Sequence, residues 1–420
     1  MHQKQTLTNG VRLLTIPMKG TKTFTVLVMV KTGSRDETEK TSGISHFVEH
    51  MFFKGTKKRP DTLAISSALD KIGGEFNAFT SKEYTGYYAK VNGEFAGKAI
   101  DVIGDMMLNS KFDEKEIDRE RGVIIEEINM YENNPLIHID DLFEECLYGD
   151  CPAGWDTIGT KENIRSFKRA DFLNYVKGRY HGKHIIIGLS GNFQKKDIEL
   201  VKRLFVKMPV KGNDDVYEYG GSQKEPKIKI KKQDTQQVNL SVGFRGYGYN
   251  HKDFYTLKLL GVILGGSMSS RLFISVRERK GLAYQVHTQV ESYADSGYLT
   301  TNIGTSSDKV KEAIKTTLLE YKKIININVG SQELKKAKDY IKGKTVLNLE
   351  PSDDLNTWIV KQELLQKEVL DTTKLFKIID GITSKDIRRV AREVFIKDNL
   401  NLAIIGPDFD ERELKSILKF

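Results

Sequence analysis

The sequence predicts an α+β protein of two homologous halves, each a mainly antiparallel sheet packed against helices. Three observations predict it. Apolar, β-branched runs such as residues 23–31 (TFTVLVMVK) alternate with long amphipathic helical segments. A Gly- and Pro-rich stretch with little periodicity, residues 208–226, falls almost at the midpoint of the 420-residue chain. Motifs of the first half also return in the second at an offset of about 211 residues, as with Gly86 and Gly297 in their matching turns. The expected division is therefore 1–207, a linker at 208–226, and 227–420.

The elements follow in order. The first segment alternates like a strand and turns at Asn9-Gly10 into Val11-Arg12-Leu13-Leu14, a hairpin signal. Residues 23–31 read as a central strand. Ser42-Gly43-Ile44-Ser45 leads into a helix carrying His46 to Phe53. Asp61 and Thr62 open a second helix with apolar spacing at Leu63, Ile65, Ala68, Leu69 and Ile72, which stops at Gly73-Gly74. Residues 76–91 read as two strands, 113–131 as a long helix, and 184–189 as a further apolar strand. In the second half, 237–244 (QVNLSVGF) echoes the central strand and 254–265 echoes the helix that ends at Lys54-Gly55.

Composition narrows the function classes. Hydrophobic residues make up 39% and charged residues 29%, as in soluble globular proteins, and no apolar run approaches the ~18 residues that span a bilayer. The polar start, Met1-His2-Gln3-Lys4, lacks the apolar core of a signal peptide, so a cytoplasmic protein is expected. The two cysteines, Cys146 and Cys151, are expected to be free thiols. The net charge of +9 is scattered, with no Lys/Arg stripe interleaved with aromatics, so neither nucleic acid nor membrane is an expected partner.

The most informative stretch is His46-Phe47-Val48-Glu49-His50. Positions i and i+4 lie on one helix face, so both imidazoles can reach a single zinc ion, with Glu49 nearby as a general base for water. A catalytic zinc takes three protein ligands and keeps one open position. The helix at 113–131 offers Glu120, Glu126 and Glu127 for the third. Glu120 and Glu127 are about two turns apart and share a face with Val123 and Ile124, whereas Glu126 projects toward the polar side. An acid on a buried face is costly unless paired or metal-bound. Glu127 is therefore the expected ligand and Glu120 an auxiliary acid.

These residues resemble a known family. His46-Phe47-Val48-Glu49-His50-Met51-Phe52-Phe53-Lys54-Gly55-Thr56 is similar to the zinc helix of the pitrilysin family (M16), in its mitochondrial processing peptidase branch. Gly73-Gly74-Glu75-Phe76-Asn77-Ala78-Phe79-Thr80-Ser81 resembles that branch's edge-strand segment, and Glu120-Arg121 to Glu127 its distal glutamate motif. Met268-Ser269-Ser270-Arg271-Leu272-Phe273, with Val276-Arg277-Glu278 and Gly281-Leu282-Ala283-Tyr284, resembles its C-terminal signature.

The resemblance implies a LuxS/processing-peptidase-like metalloenzyme fold and a zinc endopeptidase with one Zn2+ per chain. His46, His50 and Glu127 would bind the ion, Glu49 would activate water, and Glu120 would support the ligands. Arg277 and Tyr284 match the pair that contacts the substrate carbonyl and oxyanion. Asn77, Ala78 and Phe79 match the edge on which an extended peptide or unfolded segment adds as a strand. Opposite His46–His50 the second half carries Thr256-Leu257-Lys258-Leu259-Leu260, which cannot bind zinc. A homodimer closing a chamber follows from the resemblance, with Arg277 and Tyr284 serving the partner's zinc site. The acid-rich run 113–145, twelve acids against three Lys/Arg, suggests a preference for basic peptides. The rival readings are a non-catalytic scaffold, which the intact zinc set opposes, and a nucleic-acid binder, which rests on net charge alone.

Overall fold

Two sheets organise the protein. The computed structural model describes residues 2–420. The first sheet contains β1 (Gln3–Thr6), β2 (Arg12–Pro17), β3 (Thr23–Val30), β4 (Glu75–Thr80), β5 (Thr85–Asn92) and β6 (Ile185–Gly191), in the order β1-β2-β6-β3-β5-β4. Its neighbours are antiparallel except β2 with β6. β3 is buried from Phe24 to Val30, which is why its sequence is continuously apolar or β-branched rather than alternating. The second sheet contains β7 (Lys227–Lys232), β8 (Gln237–Arg245), β9 (Ala283–Ser292), β10 (Gly297–Ser306) and β11 (Leu400–Gly406), in the order β7-β11-β8-β10-β9. Here only β7 and β11 run parallel. Set against each other, β2-β6-β3-β5-β4 and β7-β11-β8-β10-β9 have one topology. The halves are therefore structural repeats, and β1 is an addition to the first.

The packing does not follow a linear cut at 208–226. One compact unit is the chain up to Asn129 with Trp155–Tyr217 and Leu347–Leu370; the other is Met130–Gly154, Glu218–Val346 and Asp371–Phe420. Helix Pro135–Tyr148, from the first half of the sequence, covers β11, β8 and β7. Helix Ser352–Leu365, from the second half, covers β6 and β3. Each helix buries its apolar side, Leu142, Phe143, Cys146 and Leu147 in one case and Ile359, Val360 and Leu364 in the other. The pattern of apolar residues tells which side of a helix faces inward, not which of two similar sheets it meets. Contact with β6 is close enough to require glycine. A β-carbon on Gly188 would stand 1.8 Å from Asn356 Oδ1, while Asn356 Nδ2 donates to the carbonyls of Gly188 at 3.0 Å and Thr25 at 3.2 Å.

The last apolar strand of the first half begins at Ile185, because His184 ends a 3-10 turn, Gly182–His184. Cys146 and Cys151 are both free. Among the described residues, no helix is long and apolar enough to cross a membrane.

Candidate metal centre

The centre forms where two helices and the edge strand of the first sheet meet. Helix Ile44–Met51 buries Ile44, Phe47, Val48 and Met51, and the Phe47 ring meets Phe172 edge-on at 4.8 Å between centroids. The other side of this helix carries His46, Glu49 and His50. Its start is held by buried Glu37, whose carboxylate accepts the backbone N–H of Gly43 at 2.8 Å and of Ser45 at 2.7 Å. Its oxygens satisfy donors that helix geometry leaves unpaired, while burial pushes the carboxyl up to about 8.

Helix Glu114–Glu132 buries Ile117, Glu120, Ile124 and Ile128, a stripe at helical spacing with an acid inside it. Arg121 fixes the helix by donating to the carbonyls of Ile164 and Phe167. Glu127 adjoins the stripe and reaches both histidines: Oε1 is 3.7 Å from His46 Nε2, and Oε2 is 3.5 Å from His50 Nε2. Glu126 is exposed. Val123 is also largely exposed, at 51%, so of the two apolar residues expected between Glu120 and Glu127 only Ile124 is buried.

The remaining groups position these three. Glu120, 4% exposed, accepts from His50 Nδ1 at 2.8 Å and from Lys54 Nζ at 2.5 Å. Burial alone would raise its carboxyl, but the bonds from His50 and Lys54 outweigh burial and hold it below the usual carboxylate range. An ionised carboxylate only accepts, so His50 carries its hydrogen on Nδ1 and keeps Nε2 as a free ligand nitrogen. Burial, reinforced by the neighbouring His50, pushes His46 down to about 3. Its imidazole is therefore neutral, the form that binds metal. Glu49 accepts from the Thr80 hydroxyl at 2.5 Å, at the end of β4. Burial raises its carboxyl, Thr80 and His50 oppose that rise, and Glu127 adds to it. Thr80 and Lys54 are contributors that sequence reasoning did not single out; both lie within segments it quoted.

The donor set suits zinc. One ligand atom from each of His46, His50 and Glu127 lies within 4.8 Å of the others, and two imidazoles with one carboxylate form a zinc-type set that leaves a position open. The other predicted residues lie in two places. Asn77, Ala78 and Phe79 are on β4, an edge strand of the first sheet that pairs with β5. Asn77 is exposed, and its Oδ1 accepts from the Ala78 N–H at 2.9 Å. Arg277 and Tyr284 belong to the second unit. Arg277 is on the π-helical turn Phe273–Glu278, its guanidinium 4.7 Å from the centroid of the Phe273 ring. Tyr284, on β9, is 42% exposed, and its hydroxyl donates to Asn239 Oδ1 at 3.4 Å. Partial burial raises its phenol, keeping it a neutral donor. Within the acidic run, Glu144 is turned inward and accepts from the hydroxyls of Tyr293 and Tyr298.

A repeated two-sheet fold with a His/His/Glu set beside a further carboxylate, Glu49, is that of a zinc metallopeptidase, with zinc as its cofactor. Comparison with known proteins agrees. The family described as "Insulinase (Peptidase family M16)" matches residues 12–161, and "Peptidase M16 inactive domain" matches 166–341. An uncharacterized zinc protease of Bacillus subtilis (strain 168), YmxG, is 37% identical over 97% of this chain and 98% of its own. An uncharacterized zinc protease of Streptomyces coelicolor, SCO5738, is 33% identical over 98% of this chain and 90% of its own. The crystal structure of a protease from Helicobacter pylori superposes with a TM-score of 0.91 at 25% identity, covering 97% of this chain and all of that one. The chain belongs to peptidase family M16.

Proposed function

We propose that this chain is a zinc endopeptidase that hydrolyses peptides or unfolded protein segments inside a closed chamber, the observation carrying the reading being the convergence of His46, His50 and Glu127 next to Glu49. His46, His50 and Glu127 would hold the ion. When bound, zinc supplies Lewis acidity, lowering the pKa of a water toward ~7 and polarising the scissile carbonyl. Glu49 takes the proton of the attacking water and returns it to the departing amine. Thr80 occupies Oε2 of Glu49 and leaves Oε1 to accept that proton. Glu120 holds the His50 ring by its Nδ1.

The substrate adds to β4 as an extended strand along Asn77, Ala78 and Phe79. Thr80 ends that strand and also holds Glu49, so the peptide is delivered beside the base. Arg277 and Tyr284 donate to the oxyanion of the tetrahedral intermediate. They come from the second copy in a homodimer, so each site is shared. The free thiols of Cys146 and Cys151 suit a cytoplasmic enzyme. Exposed Asp113, Glu114, Asp118 and Glu126 favour peptides bearing Lys or Arg.

The test is cleavage of a mixed peptide library by the protein as isolated, after chelation, and with zinc restored. Activity is expected to disappear on chelation and return with zinc. An uncleaved library, with zinc bound and the dimer folded, would favour a non-catalytic scaffold.

A further inference from the structure

The first unit gathers a second set of metal-ligating side chains away from the centre described above. After helix Arg169–Arg179, the turn Gly182–His184 places His181 and His184 close together, with ring centroids 4.0 Å apart. His181 is wholly buried and His184 nearly so. Asp214, about thirty residues further along, brings a single oxygen to both rings. Its Oδ1 is 3.3 Å from His181 Nε2 and 3.3 Å from His184 Nε2. In a tetrahedral zinc site with bonds of about 2.0–2.1 Å, neighbouring ligand atoms stand about 3.3 Å apart. Both Asp214 contacts have the spacing of ligands sharing one ion, and the three ligand atoms lie within 4.8 Å of one another.

The hydrogen bonding leads the same way. Both ring nitrogens of His181 are buried with no hydrogen-bond partner, and its contact with Asp214 lacks hydrogen-bond geometry. Buried polar groups are paired as a rule, so an imidazole without partners on either side calls for an explanation. A cation at Nε2 supplies one. His184 Nδ1 lies 3.1 Å from the Arg179 carbonyl and must donate to it, which leaves Nε2 as the lone-pair nitrogen facing Asp214.

Asp214 is also held from both sides. Asn213 N donates to the Gly178 carbonyl at 2.7 Å, and the Arg179 guanidinium donates to the Asp215 carbonyl. Asp215 N closes a turn onto Asn213 Oδ1 at 2.9 Å. Gly212 lets this loop lie flat on the imidazole, since a β-carbon there would be 2.2 Å from His181 Cδ2. Asp214 is 58% exposed on its outer side, so water can complete the coordination.

We propose that His181, His184 and Asp214 form a second divalent-cation site, of zinc type, that fastens the segment after Met208 to the first unit. Two imidazoles and one carboxylate suit Zn2+ or Co2+ better than Mg2+ or Ca2+.

The test counts metal. Metal-free protein is dialysed to equilibrium against micromolar Zn2+ and the bound metal is measured by mass spectrometry, with Co2+ absorption as a second readout. The wild-type chain is expected to hold two ions, Asp214→Asn one, His50→Gln one, and the double variant none. Asp214 is exposed, so its substitution leaves the core intact. As an independent reading, zinc should raise the unfolding temperature of His50→Gln but not of the double variant. A single wild-type ion that survives Asp214→Asn would overturn the proposal, as would two ions in Asp214→Asn. A count unaffected by His50→Gln would instead contradict the ligands proposed for the catalytic centre.

Discussion

In the first unit, the helix after the central strand β3 turns His46, Glu49 and His50 toward Glu127 and keeps its apolar residues on the opposite side. In the second unit, the helix after the matching strand β8, Phe254–Gly265, buries Thr256, Leu257, Leu259 and Leu260 and leaves only Lys258 of that stretch partly exposed. The two sheets share a topology, yet one helix is amphipathic around a polar centre and the other is packing on nearly every side. A repeat can thus keep its architecture while only one of its two copies carries the His/His/Glu set; in the proposed function the other copy contributes Arg277 and Tyr284. Helix exchange adds to the point. Each sheet also packs against a helix from the opposite half of the sequence, so a cut at the linker separates each sheet from one of the helices packed on it.

That division can be broken at matched positions. The largest effect is expected at Glu49, the proposed base: Glu49→Gln should lower kcat by about 10²–10⁴-fold with zinc content unchanged. Next come the donors proposed in the second unit. Tyr284→Phe should lower kcat by about 10²–10³-fold, again with zinc retained and with the unfolding temperature of the wild type. At Leu260, in the stretch opposite the zinc motif, the outcome should differ in kind. Leu260 is fully buried, so Leu260→Ala should cost about 2–5 kcal/mol in denaturant unfolding while zinc binding persists in the folded fraction. Smallest is Glu120→Gln, which should weaken zinc binding about 10–100-fold in competition with a chelator, since it loosens the grip on His50 without removing a ligand.

Much of this was legible in the sequence because it is local. The run at 23–31 announces a buried strand, Asn9-Gly10 announces the first hairpin, and the i, i+4 histidines announce a metal face. The choice of Glu127 over Glu126 follows from helix geometry, and in the fold Glu127 is the one that meets the histidines. What was not legible depends on long-range packing. Thr80 and Lys54 are an ordinary threonine and an ordinary lysine until folding brings the hydroxyl to Glu49 and the ammonium to Glu120. Asp214 lies about thirty residues from His181 and His184, on a stretch whose composition read only as linker. The helix exchange left no local trace either, because both sheets offer an apolar face of the same kind.

The most direct test of a divided, shared site is mixing two inactive chains. A Glu49→Gln chain and an Arg277→Ala, Tyr284→Phe chain are each purified, combined in equal amounts, dissociated and reassociated, and assayed on one peptide. If each site draws its base from one chain and its donors from the other, the mixture should recover about a quarter of wild-type activity, because half of the dimers then hold one intact site of two. Activity that stays at the level of the separate variants, with mixed dimers present, would contradict the account.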